Sequence, residues 1–411
     1  MEKQMNTSRS QNWKAIEMAN EDIFFSRTDE RGVIQSGSDF FQEIAGFDWE
    51  ELLGAPHKIV RHPDMPKAVF WLLWNNLKAG KPLSAYIKNQ TKDGGHYWVM
   101  ASAIPVEGGY ISVRIRPQSP LFARIQAEYD ALRTWERETG AKAEESVERF
   151  QARLLELGFK DYQAFMGYAL SAEHTARQEA LGRETDRVTR LIEDMSSRVS
   201  ETSAVTNQLL AGFRLIRSEP TNMRILSTRL EGGGNAISAI SQNYELMASE
   251  IWQQIHVLDE SGGNVFGEVT KALNEGRYLQ SLAAVMREQA DQFANSSLDF
   301  AALGIDQSKE PTIIEGRAAA LSAEADRTLQ DIADRVRNLP DLCQNLRRHV
   351  NGLDVVKLLC RVEAGTLRGQ ETGLDSIICR LDRFHAQIEN QLTQVSSGAS
   401  DLYRDARALL I

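Results

Sequence analysis

Over the first quarter of the chain, hydrophobic residues fall in short runs with the period of strands, punctuated by turn residues. Ile23-Phe24-Phe25 and Gly32-Val33-Ile34 read as a pair of strands joined by the turn at Asp29-Glu30-Arg31. Asp39 to Gly46 reads as a helix of one or two turns closed by glycine, and Asp48 caps a second short helix, Trp49 to Leu53, that Gly54 ends. A longer helix is predicted from Pro66 to Lys78, with Phe70, Leu73, Trp74 and Leu77 on one face. Leu83 to Gln90, His96 to Pro105 and Gly109 to Arg116 then read as strands, the first two separated by the turn Lys92-Asp93-Gly94-Gly95. Two strands, small helices and an antiparallel meander make an α+β domain.

From Pro120 onward the apolar positions recur at a period of about 3.6, and prolines become sparse. Amphipathic stretches run over Leu121–Arg137, Ala141–Leu157, Tyr162–Arg217, Asn222–Leu258, Asn264–Leu303, Gly316–Asn338 and Leu342–Leu410, with a linker at Gly304 to Pro311. The predicted architecture is an N-terminal tail over 1–19, an α+β domain with an antiparallel sheet over 20–117, connecting helices over 118–220, and a helical hairpin bundle over 221–411. The whole helical part reads as an elongated all-α bundle or coiled coil, although strict heptads are not sustained. Residues 22–117 contain every strand and helix the α+β fold needs, so this part is expected to fold alone when cut near Pro120.

Composition narrows the setting. The 411 residues are 42% hydrophobic and 25% charged, as in a soluble globular protein. No run approaches the roughly 18 apolar residues of a membrane span, and Met1 to Lys14 lacks the apolar core of a signal peptide, so a cytoplasmic protein is expected. A net charge of −10 argues against non-specific nucleic-acid binding, because phosphates would meet repulsion. Cys343, Cys360 and Cys379 lie far apart with no C-x-x-C pair, which suits a reducing compartment and small buried side chains on helices.

The most informative string is Pro56-His57-Lys58-Ile59-Val60-Arg61-His62-Pro63-Asp64-Met65-Pro66, followed by Trp74, Lys88-Asn89 and Gly95-His96-Tyr97-Trp98-Val99. Here the sequence resembles the PAS domain of aerotaxis receptors, the Aer type, which bind FAD and sense cellular redox state. The resemblance covers residues 22–117. It implies that Arg61, His62, Asp64 and Trp74 hold FAD and that Asn89 couples the state of the flavin to output. The residue types suit those roles: a guanidinium offers forked donors, an indole a flat apolar wall, and an amide can donate or accept as flavin N5 changes on reduction. Each has a plainer reading beside it. Asp64 can cap the helix after Pro66, His62 can be a satisfied core histidine, and Trp74 and Trp98 can be core aromatics. The chain departs from the family at Gln35-Ser36-Gly37-Ser38, Leu83, Ala85 and Gln90, which implies a pocket of altered shape.

Aer-type receptors continue into a membrane anchor, which is missing here, and a chemoreceptor signalling hairpin. Thr221 to Glu231 is similar to the tip of that hairpin, with Gly232-Gly233-Gly234 in place of the residues that contact the kinase. Arg361-Val362-Glu363-Ala364-Gly365 echoes Arg229-Leu230-Glu231-Gly232-Gly233, as a pseudo-symmetric pair of hairpins would. The implied partners are the chemotaxis histidine kinase and its coupling protein, with the protein itself a homodimer.

No phosphate loop, H-E-x-x-H or G-x-S-x-G motif is present, so no enzyme is expected and output should pass through binding. Three readings stay open: a flavin-PAS redox sensor, a cofactor-free PAS interaction or scaffold protein, and a heme-PAS gas sensor using His57, His62 or His96.

Overall fold

The computed structural model describes residues 14–216, 218–228, 234–256, 265–294, 308–366 and 374–409. The glycines at 232 and 233, the residues 229–231 before them and residues 304–307 of the expected linker lie outside the described residues, as does most of the N-terminal tail. The chain packs as two units, Met1–Thr189 with Asn274–Asp326 and Arg190–Leu273 with Arg327–Ile411.

In the first unit the strands are β1 (Lys14–Ala15), β2 (Ile23–Asp29), β3 (Ile34–Gly37), β4 (Leu83–Gln90), β5 (Gly95–Val106) and β6 (Gly109–Ile115). Between β3 and β4 come helices α1 (Asp39–Ala45) and α2 (Trp49–Leu52), a 3-10 turn at His57–Val60, and α3 (Lys67–Lys78). Strands β4, β5, β6, β2 and β3 lie side by side in that order, all antiparallel, and β1 joins the start of β5 in parallel. The α+β expectation holds. Strand β1 is an addition, because two residues carry no alternation from which to read it. The short helices end as their sequences dictate. Gly46, at φ 70°, closes α1, and Asp48 N–H donates to Glu51 to open α2.

Helices α4 (Pro120–Thr139), α5 (Ala143–Glu156) and α6 (Tyr162–Ala180), with the Asn274–Ala294 part of α10 (Val265–Ala294) and the Glu310–Asp326 part of α11 (Glu310–Val336), complete this unit. Helices α4, α6, α10 and α11 engage one face of the sheet, α5 packs against α3, and all share a continuous core with the sheet. Phe25 meets Phe293 at 5.6 Å, Tyr86 stacks on Phe122 at 5.7 Å, and Trp98 meets Phe122 edge-on at 5.5 Å. Buried polar groups fix the same face. The Glu173 carboxylate accepts from Tyr86 Oη (2.7 Å), Gln118 N (2.6 Å), Ser119 N (2.9 Å) and Ser119 Oγ (2.5 Å), clamping β4 and the start of α4 to α6. Glu310 accepts from Arg27 (3.1 Å) and Ser36 (2.9 Å).

The second unit is helical. It contains most of α7 (Arg187–Ile216), together with α8 (Glu219–Ser227), α9 (Gly234–His256), α12 (Leu339–Thr366) and α13 (Leu374–Ala408). Phe213 meets Phe384 edge-on at 5.1 Å. His385 donates from Nδ1 to Asp354 (2.6 Å) and accepts at Nε2 from the Tyr244 hydroxyl (3.1 Å), joining α9, α12 and α13. The long amphipathic stretch Tyr162–Arg217 is two helices rather than one, because Gly182 takes the left-handed conformation at φ 65° and ends α6. The stretch from Leu342 is likewise two helices. Among the described residues, no helix is long and apolar enough to cross a membrane.

Candidate functional site

The opposite face of the sheet, together with α3 and the turn at His57–Val60, encloses a cavity of about 290 Å³. Strand alternation decides what reaches it. Ser26 and Thr28 come from β2, Ala85, Ile87 and Asn89 from β4, Ala101 and Ala103 from β5, and Tyr110, Ser112 and Arg114 from β6. Their sequence neighbours Phe25, Arg27, Ser84 and Tyr86 engage the helices instead. Small residues on β4 and β5 leave the space open, while Phe70, Leu73, Trp74 and Leu77 of α3 line it with apolar surface. The helical face read from the sequence is the cavity face of α3.

Trp74 meets Tyr110 edge-on at 5.8 Å and lies against Gly32. Gly32 holds φ +78°, and a Cβ there would come within 2.8 Å of the indole, so both backbone and space require glycine. Arg61 is half-buried, its guanidinium 3.5 Å from the Phe70 ring centre, and a single bridge pairs it with Asn89. Asn89 is 2% exposed, and its Nδ2 finds no hydrogen-bond acceptor in the protein. The amide sits near enough to the Tyr97 hydroxyl to restrain a pKa that burial lifts to about 12, but neither group completes a hydrogen bond of ordinary geometry.

The most deeply buried charge in the cavity belongs to Arg114 of β6, a residue not among the five named from the sequence. Arg114 is buried, and its Nη2 donates to Ser26 Oγ (2.9 Å) and to His57 Nε2 (2.8 Å), while Nη1 donates to Ser112 O (3.0 Å). All three partners are neutral. Burial lowers the Arg114 pKa to about 10, which still leaves it charged at neutral pH. Burial, reinforced by the Arg114 charge, lowers His57 to about 3, so its imidazole is neutral and can accept. The signal available for Arg114 was the run Tyr110, Ser112, Arg114, polar at alternate positions of an otherwise apolar strand.

Of the five residues named from the sequence, Arg61, Trp74 and Asn89 meet in the cavity. His62 and Asp64 do not line it. His62 is fully buried beside Arg61, accepts at Nδ1 from the Asp64 backbone N–H (3.1 Å), and meets His96 edge-on at 5.8 Å. Burial, with the positive charge of Lys88, lowers its pKa to about 4. The Asp64 side chain is 45% exposed and lies 3.7 Å from that ring. Among the described residues, no group of three or more His, Cys, Asp or Glu side chains is placed to hold a metal.

Residues 36–113, which hold most of this sheet and the whole of α3, match the family model of the PAS fold. The N-terminal domain is a PAS domain. Over 120 residues the chain is 42% identical to the Aerotaxis receptor of Escherichia coli (strain K12), an alignment covering 28% of this chain and 24% of that protein. The chain therefore matches about a quarter of the length of this relative. Among solved structures, the light-state LOV domain of the blue-light photoreceptor Aureochrome1 is 22% identical, covering 25% of this chain and 88% of that one at a TM-score of 0.23. The PAS domain of a protein from Colwellia psychrerythraea is 18% identical, covering 23% and 85% at a TM-score of 0.20. The cavity described above is thus the interior of the PAS domain, between its sheet and its helices.

Proposed function

We propose that this chain is a sensor of redox state whose PAS domain holds FAD and whose helices pass the state of the flavin to a partner in aerotaxis-type signalling. The observation that carries the reading is the lining of the PAS cavity. A flat apolar wall from Phe70, Leu73 and Trp74 stands with an unpartnered Asn89 amide and a buried Arg114 whose protein partners are all neutral. An apolar slot with a few convergent polar groups is the composition of a small-molecule site. At about 290 Å³ it has room for a planar ring system rather than a whole dinucleotide. The phosphates and adenosine would then fall to the basic residues on its rim, Arg31, Lys58 and Arg61.

A bound flavin supplies reversible electron transfer coupled to protonation at one ring nitrogen. The protein's own groups set the terms of that chemistry. Arg114 favours negative charge in the cavity, neutral His57 accepts from it without adding charge, and the apolar wall limits water. Asn89 can rotate its amide to donate or to accept, and it sits on β4, whose other face carries Tyr86 to the Glu173 clamp. His62 and Asp64 act one step removed, holding the backbone beside Arg61. The 42% identity to the Aerotaxis receptor over 120 residues supports aerotaxis as the setting. The proposed partners are the chemotaxis histidine kinase and coupling protein, and the proposed location is the cytoplasm.

The heme reading fares worse, because among His57, His62 and His96 the cavity lining includes His57 alone, and its Nε2 is engaged by Arg114 and Ser26. The absorption spectrum of the purified full-length chain decides. Flavin bands near roughly 450 nm are expected, with FAD released on denaturation. A Soret band near roughly 400 nm would establish heme, and a colourless protein that takes up no added FAD would leave the scaffold reading.

A further inference from the structure

Helix α3 is held from behind by the two helices that follow the sheet. Its first turn has no cap of its own, because Pro66 stands at the N-cap position and carries no acceptor side chain. The acceptor comes from α4. The buried Glu136 carboxylate accepts from the Lys67 backbone N–H (2.8 Å), from Ser146 Oγ of α5 (2.5 Å) and from Arg133 Nη1 (3.3 Å). Lys67 Nζ donates to Ala141 O (2.5 Å) in the turn between α4 and α5, and Trp71 Nε1 donates to Glu144 (3.2 Å). Lys67 and Trp71, one turn apart, thus hold the α4–α5 pair, while Phe70, Leu73, Trp74 and Leu77 of the same helix wall the cavity.

The other end of α4 is fixed to the sheet. Ser119, directly before the helix, donates by its N–H (2.9 Å) and its hydroxyl (2.5 Å) to Glu173, which also accepts from Tyr86 of β4. From Pro120 to Glu136 the helix runs about 24 Å as one rigid rod. It therefore has one foot on the sheet and one on α3, the two walls between which the cavity lies. We infer that α4 is a lever, which converts the spacing between the sheet and α3 into a tilt of the α4–α5 pair, with Glu136 joining the lever to the wall. Packed helices shift as bodies, by roughly 1–2 Å, rather than deform continuously, so a small change in what fills the cavity has a discrete response. Glu136 does not line the cavity and acts as a positioning residue. The mechanics follow from the packing alone, and the trigger rests on the reading of the cavity as the FAD site.

Hydrogen exchange of the full-length chain, without flavin and with added FAD, tests the lever. Residues 143–156 of α5 do not line the cavity, yet FAD is expected to slow their exchange about 3-fold or more. Glu136→Ala should abolish that protection and, by reciprocity, weaken FAD binding about 5-fold or more. Glu136→Gln keeps an acceptor for the Lys67 N–H and should restore most of both effects. Trp71→Phe loses only the bond to Glu144 and should reduce the protection, a reading that stands even if Glu136→Ala does not fold. Ala101→Met fills part of the cavity from β5 without any ligand and should slow α5 exchange in the same sense. FAD bound with α5 exchange unchanged, or protection that survives in both Glu136→Ala and Trp71→Phe, would overturn the inference. A chain that takes up no FAD sinks the flavin reading instead, and Ala101→Met then decides. If α5 in that variant exchanges no more slowly than in the wild type, the lever falls as well.

Discussion

Arg114 and Asn89 bring opposite electrostatic habits into one cavity, a fixed positive charge and an amide that can turn. Around them stands the apolar wall of α3, Phe70, Leu73, Trp74 and Leu77. Trp74→Ala and Arg61→Ala are each expected to lower the flavin content of purified protein about 10-fold or more, with the circular dichroism spectrum little changed. Full occupancy in both variants would show that neither residue touches the ligand. The two buried histidines give a second test. Their pKa values lie near 3 for His57 and 4 for His62, well below the ordinary 6.5. Both rings should therefore remain neutral in imidazole nitrogen NMR spectra down to pH 5. Because the unfolded rings take up protons from about pH 6.5 downward and the folded rings do not, stability is complete above that pH and falls as pH drops toward 4. A ring that titrates near 6.5 in the folded protein would contradict the packing.

The elements divide into those written locally and those imposed from far away in sequence. The strands β2 to β6 and the helices α1 to α3 were legible, because alternation, glycine stops and the Asp48 cap are local signals. Arg61, Trp74 and Asn89 were legible through their motif. Arg114 and the neutral imidazole of His57 were not, since their roles arise from strands β2 and β6 pairing across nearly ninety residues. Nor was the covering of the sheet's outer face by α6, α10 and α11, which return to it from residues 162–326. That covering bears on the expectation that the PAS domain folds alone. A chain cut near Pro120 would expose Phe25, Tyr86 and their apolar neighbours, so it is expected to be soluble only when α4 to α6 and the covering parts of α10 and α11 are retained. Within the clamp, Glu173→Ala strips acceptors from four donors, three of them at the start of α4. It should cost about 2–4 kcal/mol in urea unfolding followed by tryptophan fluorescence. A loss below roughly 0.5 kcal/mol would show that water replaces the carboxylate without penalty.

For the molecule as a whole, sensing requires that partner affinity differ between flavin states. An allosteric coupling of ordinary size, about 1–3 kcal/mol, corresponds to a change of roughly 5- to 150-fold. Binding of the oxidised and the reduced full-length chain to the chemotaxis coupling protein and kinase should differ within that range. Asn89→Ala should narrow the difference while leaving flavin in place. Equal affinities in the wild type would remove the switch, and absence of binding in both states would point to another partner. Such a signal has one layer to cross. Along β2 each residue belongs either to the chamber or to the helices: Ser26 faces Arg114 and His57, and the adjoining Arg27 reaches Glu310. Inserting or deleting a single residue in that strand would exchange the two inventories, sending Phe25 and Arg27 inward and the hydroxyls of Ser26 and Thr28 out. Substitutions can therefore change the lining of the cavity one side chain at a time, whereas the length of β2 is fixed by both faces of the sheet at once.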